Sequence, residues 1–222
     1  MKVGTDGVLL GAWADVDDVD SILDIGTGTG VIALMAAQRN VEAKVDGVEL
    51  DESSARQAQD NFKQSPFKNR LQAYPISIQS YAEMTEKEYD IIISNPPFFQ
   101  VGNTKEAIDE RRRMGRQTSF LRFEDLLKSV DSLLSYYGSF QVILPAAEGQ
   151  RFVKLAIMVP LHVRRMTMVK SIAHKPVERL LIEFSRIPGD PEMQELIIQN
   201  SGTRHDYTDE YVALVKDFYT IL

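Results

Sequence analysis

The sequence contains no cysteine, one tryptophan and three histidines in 222 residues. The absence of cysteine excludes a disulfide framework and a thiolate metal site. The histidines, His162, His174 and His205, have no second ligand at metal-binding spacing, so we expect no bound metal. No apolar run approaches the roughly 20 residues of a membrane-spanning helix. Acidic residues follow the short apolar stretch at the N-terminus, which is untypical of a signal peptide. We therefore expect a cytoplasmic protein with no membrane partner.

The charged residues are divided unevenly along a chain whose formal net charge is −7. Residues 1–100 carry 8 Lys and Arg against 16 Asp and Glu, whereas residues 111–186 carry 14 against 6. An acidic half joined to a basic half can present one positive face to a polyanion. The alternative interpretation is ordinary solvated surface charge.

The pattern of apolar residues predicts one α/β domain over residues 1–222. Buried strands are predicted at 21–26, 44–50, 71–78, 89–94 and 139–146, alternating with helices at 30–40, 51–65, 123–138 and 209–222. Two further strand-like segments, 162–171 and 177–186, are expected to form an antiparallel pair at the sheet edge. The prediction is a seven-stranded, mostly parallel twisted sheet with helices on both faces. Such sheets bind ligands beyond the carboxyl ends of their strands.

A glycine-rich loop, "LDIGTGTG", follows the first predicted strand and opens a helix. Gly26, Gly28 and Gly30 let the backbone approach a ligand closely. The loop is not a dinucleotide fingerprint, because Val31 stands where the last glycine is needed, and no P-loop lysine follows. Asp24 is predicted to be buried, so it needs either an amino-group ligand or the loop amides as partners.

Glu49 ends the second predicted strand, 21 residues after Gly28. An acid at this position can accept hydrogen bonds from both ribose hydroxyls of a nucleoside. Alone, Glu49 could be the N-terminal acid of the next helix, and the glycines could form a tight turn. The order strand, loop, helix, strand and acid favours a nucleoside ligand.

The fourth strand, "YDIIIS", is followed by "NPPFF". Two prolines end a strand, because proline fixes φ and has no amide hydrogen to donate. An amide, a rigid backbone and an aromatic ring are therefore placed together at the end of this strand. The alternative is a turn that ends the strand, with a phenylalanine in the core.

The motifs "DIGTGTG", "VEL" and "NPPF", in this order, resemble those of class I S-adenosylmethionine-dependent methyltransferases, in which NPPF-type motifs are typical of amino-group methylation. The segments "MKVGTDGVLLGAWA", "RRMGR" and "HDYTDEYVALVKDFY" resemble the bacterial tRNA (adenine-N6) methyltransferases. That family modifies adenine-37 of a valine tRNA. The resemblance covers nearly the whole chain. It implies a Rossmann-like class I methyltransferase fold, S-adenosylmethionine as cofactor and tRNA as substrate.

The resemblance also implies a set of catalytic residues: Asn95, Pro96, Pro97 and Phe98. The side-chain oxygen of Asn95 and the carbonyl of Pro96 can each accept one N–H of an adenine amino group. Both acceptors lie out of the base plane, so they direct the nitrogen lone pair toward the methyl group, while Phe98 stacks on the base. An amino group in a duplex would have to be flipped out to reach them.

The cofactor-binding residues that the resemblance implies lie on five segments of the chain. Lys2 and Thr5, with Asp6, are expected against the methionine end. Ser77 stands where the family commonly presents an aspartate to the cofactor adenine. The full set is Lys2, Thr5, Asp24, Gly26, Thr27, Gly28, Gly30, Glu49, Leu50, Ser77 and Asn95. Family members usually have a further segment before "MKVGTDG", so a short N-terminal segment is expected to be missing here.

RNA is expected to contact Arg112, Arg113 and Arg116, in the polar stretch after NPPF. Three alternatives remain: a protein glutamine N5-methyltransferase, another NPPF-type RNA or DNA amino-methyltransferase, and a non-catalytic RNA-binding module. The glutamine enzymes more often carry NPPY and have a separate helical N-terminal domain. The oligomeric state is left open, with a monomer slightly favoured.

Overall fold

A single eight-stranded sheet forms the centre of the protein, in the order β3-β2-β1-β4-β5-β7-β6-β8. The structure, a computed structural model, describes residues 4–97, 121–203 and 205–219. The strands are Ser21–Ile25 (β1), Lys44–Glu49 (β2), Leu71–Pro75 (β3), Tyr89–Ser94 (β4), Leu134–Pro145 (β5), His162–Ile172 (β6), Arg179–Ser185 (β7) and Glu192–Gln199 (β8). The helices are Thr5–Trp13 (α1), Val31–Arg39 (α2), Glu52–Gln64 (α3), Ile78–Met84 (α4), Phe123–Leu133 (α5), Ala146–Leu155 (α6) and Asp209–Val215 (α7), with a short 3₁₀ turn at Ala156–Met158.

The first five strands are parallel, and β7 pairs antiparallel with both β5 and β6. This confirms the predicted parallel sheet and the antiparallel pairing of the two late strands. The sheet has one strand more than the seven predicted, because β8 pairs parallel to β6 and forms the outer edge of the sheet. Half of β8 is polar, as is common for an exposed edge strand, so it gives a weak apolar signal.

Three boundaries differ clearly from the sequence prediction. The helix predicted over 209–222 ends at Val215. The helix expected to run to Gly138 ends at Leu133, and Gly138 lies inside β5. A Cβ on Gly138 would lie 2.7 Å from the carbonyl oxygen of Asp90, so the close approach of two strands requires glycine there. The third strand ends at Pro75 rather than at residue 78, and α4 follows.

The helices cover both faces of the sheet, as predicted. One core cluster packs α1, α2 and α3 against the sheet together with Tyr211 and Val215 of α7. The other packs α4, α5 and α6 against the opposite face. Among the described residues, none of the helices is long and apolar enough to cross a membrane.

The N-terminal segment forms a helix, α1, which is buried from Val8 to Trp13. Trp13 is 7% exposed and donates a 2.9 Å hydrogen bond from Nε1 to Thr167 Oγ1. The guanidinium of Arg165 lies 3.9 Å from the centre of its ring. At the end of α1, Arg39 donates to the carbonyls of Gly11, Ala12 and Ala14. The C-terminal half of α1 is therefore fixed by both packing and hydrogen bonds.

Candidate active site

The glycine loop connects the carboxyl end of β1 to α2, and all three of its glycines have positive φ. Gly26, Gly28 and Gly30 adopt φ values of 72°, 58° and 89°. A Cβ on Gly30 would lie 2.4 Å from Cε1 of Phe62, whereas a Cβ on Gly26 would meet nothing within 4 Å. Glycine is therefore required at position 30 by both the positive φ and the packing of Phe62. At position 26 it is required by the positive φ alone.

Asp24 lies under this loop and is 1% exposed. Its Oδ2 accepts hydrogen bonds from the Thr27 hydroxyl at 2.6 Å and from the Ala33 amide at 3.2 Å. Its Oδ1 is buried and has no hydrogen-bond partner within the described part of the chain. Burial raises the pKa of Asp24 to about 7, the two hydrogen bonds oppose this rise, and the charge of Glu49 adds to it. Of the two kinds of partner predicted for Asp24, the loop amides are not used; a loop hydroxyl and an α2 amide are bonded to it instead. The amino-group ligand stays a prediction.

Glu49 ends β2 and is hydrogen bonded to the glycine loop. Its Oε2 accepts from the Gly28 amide at 2.9 Å, and its Oε1 accepts from the Asp51 amide at 2.9 Å. Asp51, not Glu49, caps the N-terminus of α3, through a 2.8 Å bond from the Ser54 amide. The alternative reading of Glu49 as the helix acid is therefore wrong. Leu50, the next residue, is 41% exposed.

The end of β4 lies beside the glycine loop, because β1 and β4 are neighbours. Ile25 pairs with Ser94, whose hydroxyl donates to the Ile25 carbonyl at 2.9 Å. Asn95 is half-buried, Pro96 buried and Pro97 exposed. The strand order thus brings Asn95, Asp24 and Glu49 together at the carboxyl ends of neighbouring strands, as predicted.

The first turn of α1 also reaches this edge. A Cβ on Gly7 would lie 3.8 Å from Nδ2 of Asn95. Thr5 is exposed, and Asp6 forms an ion pair with Arg179, the first residue of β7. The sequence reasoning did not find Arg179, which is separated from Asp6 by 173 positions and carries no local motif.

Ser77 occupies a different structural position from the one predicted. It follows β3 rather than belonging to it, and it caps α4 by accepting a 3.1 Å hydrogen bond from the Ser80 amide. Its hydroxyl also lies 2.9 Å from that of Ser80. Lys2, Phe98, Arg112, Arg113 and Arg116 lie outside the described residues. No cluster of three or more histidine or acidic side chains placed to hold a metal occurs in the described ranges.

Comparison with solved structures identifies the fold. A protein described as a predicted O-methyltransferase, from Agrobacterium tumefaciens, superposes with a TM-score of 0.72 over 96% of both chains at 17% identity. At that identity the likeness shows the fold alone. The fold is that of the Rossmann-like class I methyltransferases, with a glycine loop at the end of β1.

Comparison of sequences identifies the family. The profile of the methyltransferase small domain family matches residues 7–122. A protein named tRNA1(Val) (adenine(37)-N6)-methyltransferase from Flavobacterium psychrophilum is 43% identical over 99% of this chain and 92% of its own length. A protein of the same name from Trichodesmium erythraeum is 42% identical over 99% and 91%. The chain belongs to the methyltransferase small domain family and, within it, to the family of these two relatives.

Proposed function

We propose that this protein transfers a methyl group from S-adenosylmethionine to the N6 amino group of an adenine in tRNA, at adenine-37 of a valine tRNA. The observation that carries the proposal is the position of Asn95-Pro96, which follows the Ser94–Ile25 hydrogen bond beside the glycine loop. The names of the relatives support the tRNA substrate and the modified base.

The residues at this edge fit S-adenosylmethionine. Oδ1 of Asp24, which has no partner among the described residues, is an acceptor suited to the ammonium of the methionine part. Each carboxylate oxygen of Glu49 accepts one backbone amide and retains a lone pair for a ribose hydroxyl. The space beside Gly26 admits a ligand, and the exposed Leu50 offers apolar surface to an adenine. Thr27, Gly28 and Gly30 shape the loop, and Lys2, Thr5 and Ser77 remain proposed contacts. When bound, the cofactor supplies an electrophilic methyl group.

Asn95 and Pro96 perform the positioning. The exocyclic amine of adenine is a weak nucleophile, because its lone pair is delocalised into the ring. The Asn95 side-chain oxygen and the Pro96 carbonyl each accept one N–H, which turns the lone pair out of the ring plane. The N–C bond forms as the C–S bond breaks, and the extra proton leaves the nitrogen for water. No strong base is needed, so the catalysis is positioning and electrostatic stabilisation.

The substrate is expected to present a base that is not held in a stack. Bases in single-stranded loops can be splayed out at low cost, whereas a paired base must be flipped. We propose that Pro97 keeps the backbone rigid, that Phe98 stacks on the base, and that Arg112, Arg113 and Arg116 contact phosphates. We also infer a single cytoplasmic domain; a monomer remains a prediction.

The test is methyl transfer from labelled cofactor to total tRNA and, separately, to a release-factor peptide containing glutamine. We expect label in tRNA only, and mass spectrometry of the digested nucleosides should identify N6-methyladenosine. Label in the peptide alone would favour a glutamine methyltransferase. Label in neither, with RNA still bound, would favour a non-catalytic RNA-binding module.

A further inference from the structure

We propose that the ion pair between Asp6 and Arg179 is a positioning device that holds the first turn of α1 against Asn95. The inference rests on the proposed function and adds Arg179 to it as a positioning residue. Nε of Arg179 lies 2.8 Å from Oδ2 of Asp6, and the two side chains are only 31% and 25% exposed. A partly shielded pair at hydrogen-bonding distance is of the stronger, charge-assisted kind.

The ion pair lies at the same end of the sheet as Asn95, where the parallel strands have their carboxyl ends. Arg179 begins β7 and pairs with Pro145, the last residue of β5. β5 is the neighbour of β4, and both strands end at the carboxyl edge. On the other side of the pair, Asp6 precedes Gly7, where a Cβ would lie 3.8 Å from Nδ2 of Asn95. One residue of α1 therefore separates the ion pair from the asparagine.

The first turn of α1 has few other attachments among the described residues. Gly4 precedes it without a side-chain cap, and the Gly7 and Val8 amides donate to the Gly4 carbonyl at 3.1 and 3.3 Å. Burial of α1 begins only at Val8. The remainder of the helix is fixed by the core and by Arg39. Within the described part of the chain, the Asp6–Arg179 pair is a charged contact at its beginning.

β7 provides a matched control at its opposite end. Arg186 follows the last residue of β7, and its Nη1 lies 2.6 Å from Oδ1 of Asp131 in α5. The two side chains are 15% and 37% exposed. Both pairs join an arginine at an end of β7 to an aspartate on a helix. Of these two pairs, only the Asp6–Arg179 pair lies where the parallel strands have their carboxyl ends. If both pairs were purely structural, losing either one would have similar effects on the kinetics.

The experiment compares Arg179→Gln, Asp6→Asn, their double variant and Arg186→Gln. For each we would measure kcat, the KM values for cofactor and tRNA, stability to denaturant, and hydrogen exchange at the Gly7 and Val8 amides. We expect Arg179→Gln and Asp6→Asn each to lower kcat/KM by roughly 10- to 100-fold, because small misplacements at a site are costly. Because Arg179 also donates from Nη1 to the Glu178 carbonyl, Arg179→Gln removes more than the ion pair, and the double variant should lose no more than Arg179→Gln alone. Arg179→Lys, which keeps the charge, should recover part of the loss.

Arg186 also donates to the carbonyls of Asp131 and Leu134, so Arg186→Gln should lose at least as much stability as Arg179→Gln. Its kinetics should stay within about twofold and its α1 exchange should be unchanged, as for a distant, independent site. The proposal is overturned if Arg179→Gln behaves kinetically like Arg186→Gln, or if the double variant shows additive losses. Exchange at Gly7 and Val8 needs neither cofactor nor RNA. Unchanged exchange in both Asp6→Asn and Arg179→Gln would therefore overturn the ion-pair proposal even if tRNA were not the substrate. If the wild type were inactive but exchange were accelerated in these variants, only the proposed function would be overturned.

Discussion

Asp24 combines a buried position with a carboxylate oxygen that has no partner in the described part of the protein. Its pKa is raised to about 7 from an ordinary 3.8, so the folded protein binds a proton more tightly there than the unfolded chain does. The stabilising effect of that proton is fully present below about pH 4 and is lost as pH rises through about 7.

The first prediction concerns this titration. The unfolding free energy of the wild type should fall with pH between about 4 and 7 relative to Asp24→Asn, by up to about 4 kcal/mol for a shift of about three pKa units.

An ammonium beside the carboxylate of Asp24 would favour its charged form. S-adenosylmethionine should therefore bind with release of a proton near pH 7, and it should bind Asp24→Asn more weakly. Denaturation at several pH values and calorimetry in buffers of different ionisation enthalpy measure both. Parallel stability curves for the two proteins would contradict the assignment.

Asn95 is the residue on which the proposed chemistry depends most. Asn95→Ala should leave cofactor affinity nearly intact and lower turnover by roughly 10²–10³, as for the loss of one preorganised hydrogen-bonding group. Cofactor affinity is measured by calorimetry and turnover by label in tRNA. Near-normal turnover in the variant would exclude the assigned role.

At the scale of elements, the glycine loop shows two reasons why a position requires glycine: a positive φ and a close neighbouring side chain. Gly30→Ala suffers both an unfavourable φ and a Cβ 2.4 Å from Phe62, so we expect a loss of roughly 2–5 kcal/mol in unfolding free energy. Gly26→Ala suffers only the φ, at about 1–2 kcal/mol, and is the matched control. Combining Gly30→Ala with Phe62→Leu should recover part of the loss. Equal losses in denaturant for the two alanine variants would show that packing against Phe62 is unimportant.

The elements also show where sequence reasoning succeeds and fails. The short apolar stretches of β1 and β4 fit parallel strands that are buried on both faces. The positions of these strands and of β2 were predicted within a residue or two. In "LLSYYG" the helix and strand patterns overlap, and only the pairing of β5 with β4 places the boundary at Leu134. No helix was predicted over α1, which contains two glycines; Gly11 fits there because Met35 of α2 packs where its Cβ would be.

The candidate site followed a similar division. Asp24, Glu49 and Asn95 were predictable, since each ends or lies in a strand and parallel strands present their carboxyl ends together. The contacts of Asp24 with Thr27 and Ala33, and the ion pair of Asp6 with Arg179, were not. They depend on loop conformation and on residues distant in sequence, for which no periodic pattern exists.

At the scale of the whole molecule, the acidic N-terminal half contains the residues that we propose for the cofactor, while the excess of Lys and Arg falls in residues 111–186. Arg112 and Arg116 lie in the chain between Pro97, at the end of the candidate site, and α5. The first described helix after this stretch, α5, begins at Phe123, and the arginines lie outside the described residues. Contact with RNA phosphate is the explanation that we propose.

The last prediction tests this explanation with two charge reversals of equal size. Arg112→Glu with Arg116→Glu should weaken tRNA binding and lower the salt dependence of the affinity by about one unit of slope per lost phosphate contact. Lys63→Glu with Lys68→Glu changes the net charge equally, but these exposed lysines precede β3 and so lie at the sheet edge opposite Asn95. The lysine pair should shift affinity slightly and leave the slope unchanged, and neither pair should alter the affinity for S-adenosylmethionine. Equal slopes for the two variants would mean that the arginines act only through net charge, and a loss of thermal stability confined to the arginine variant would mean that they have a structural role.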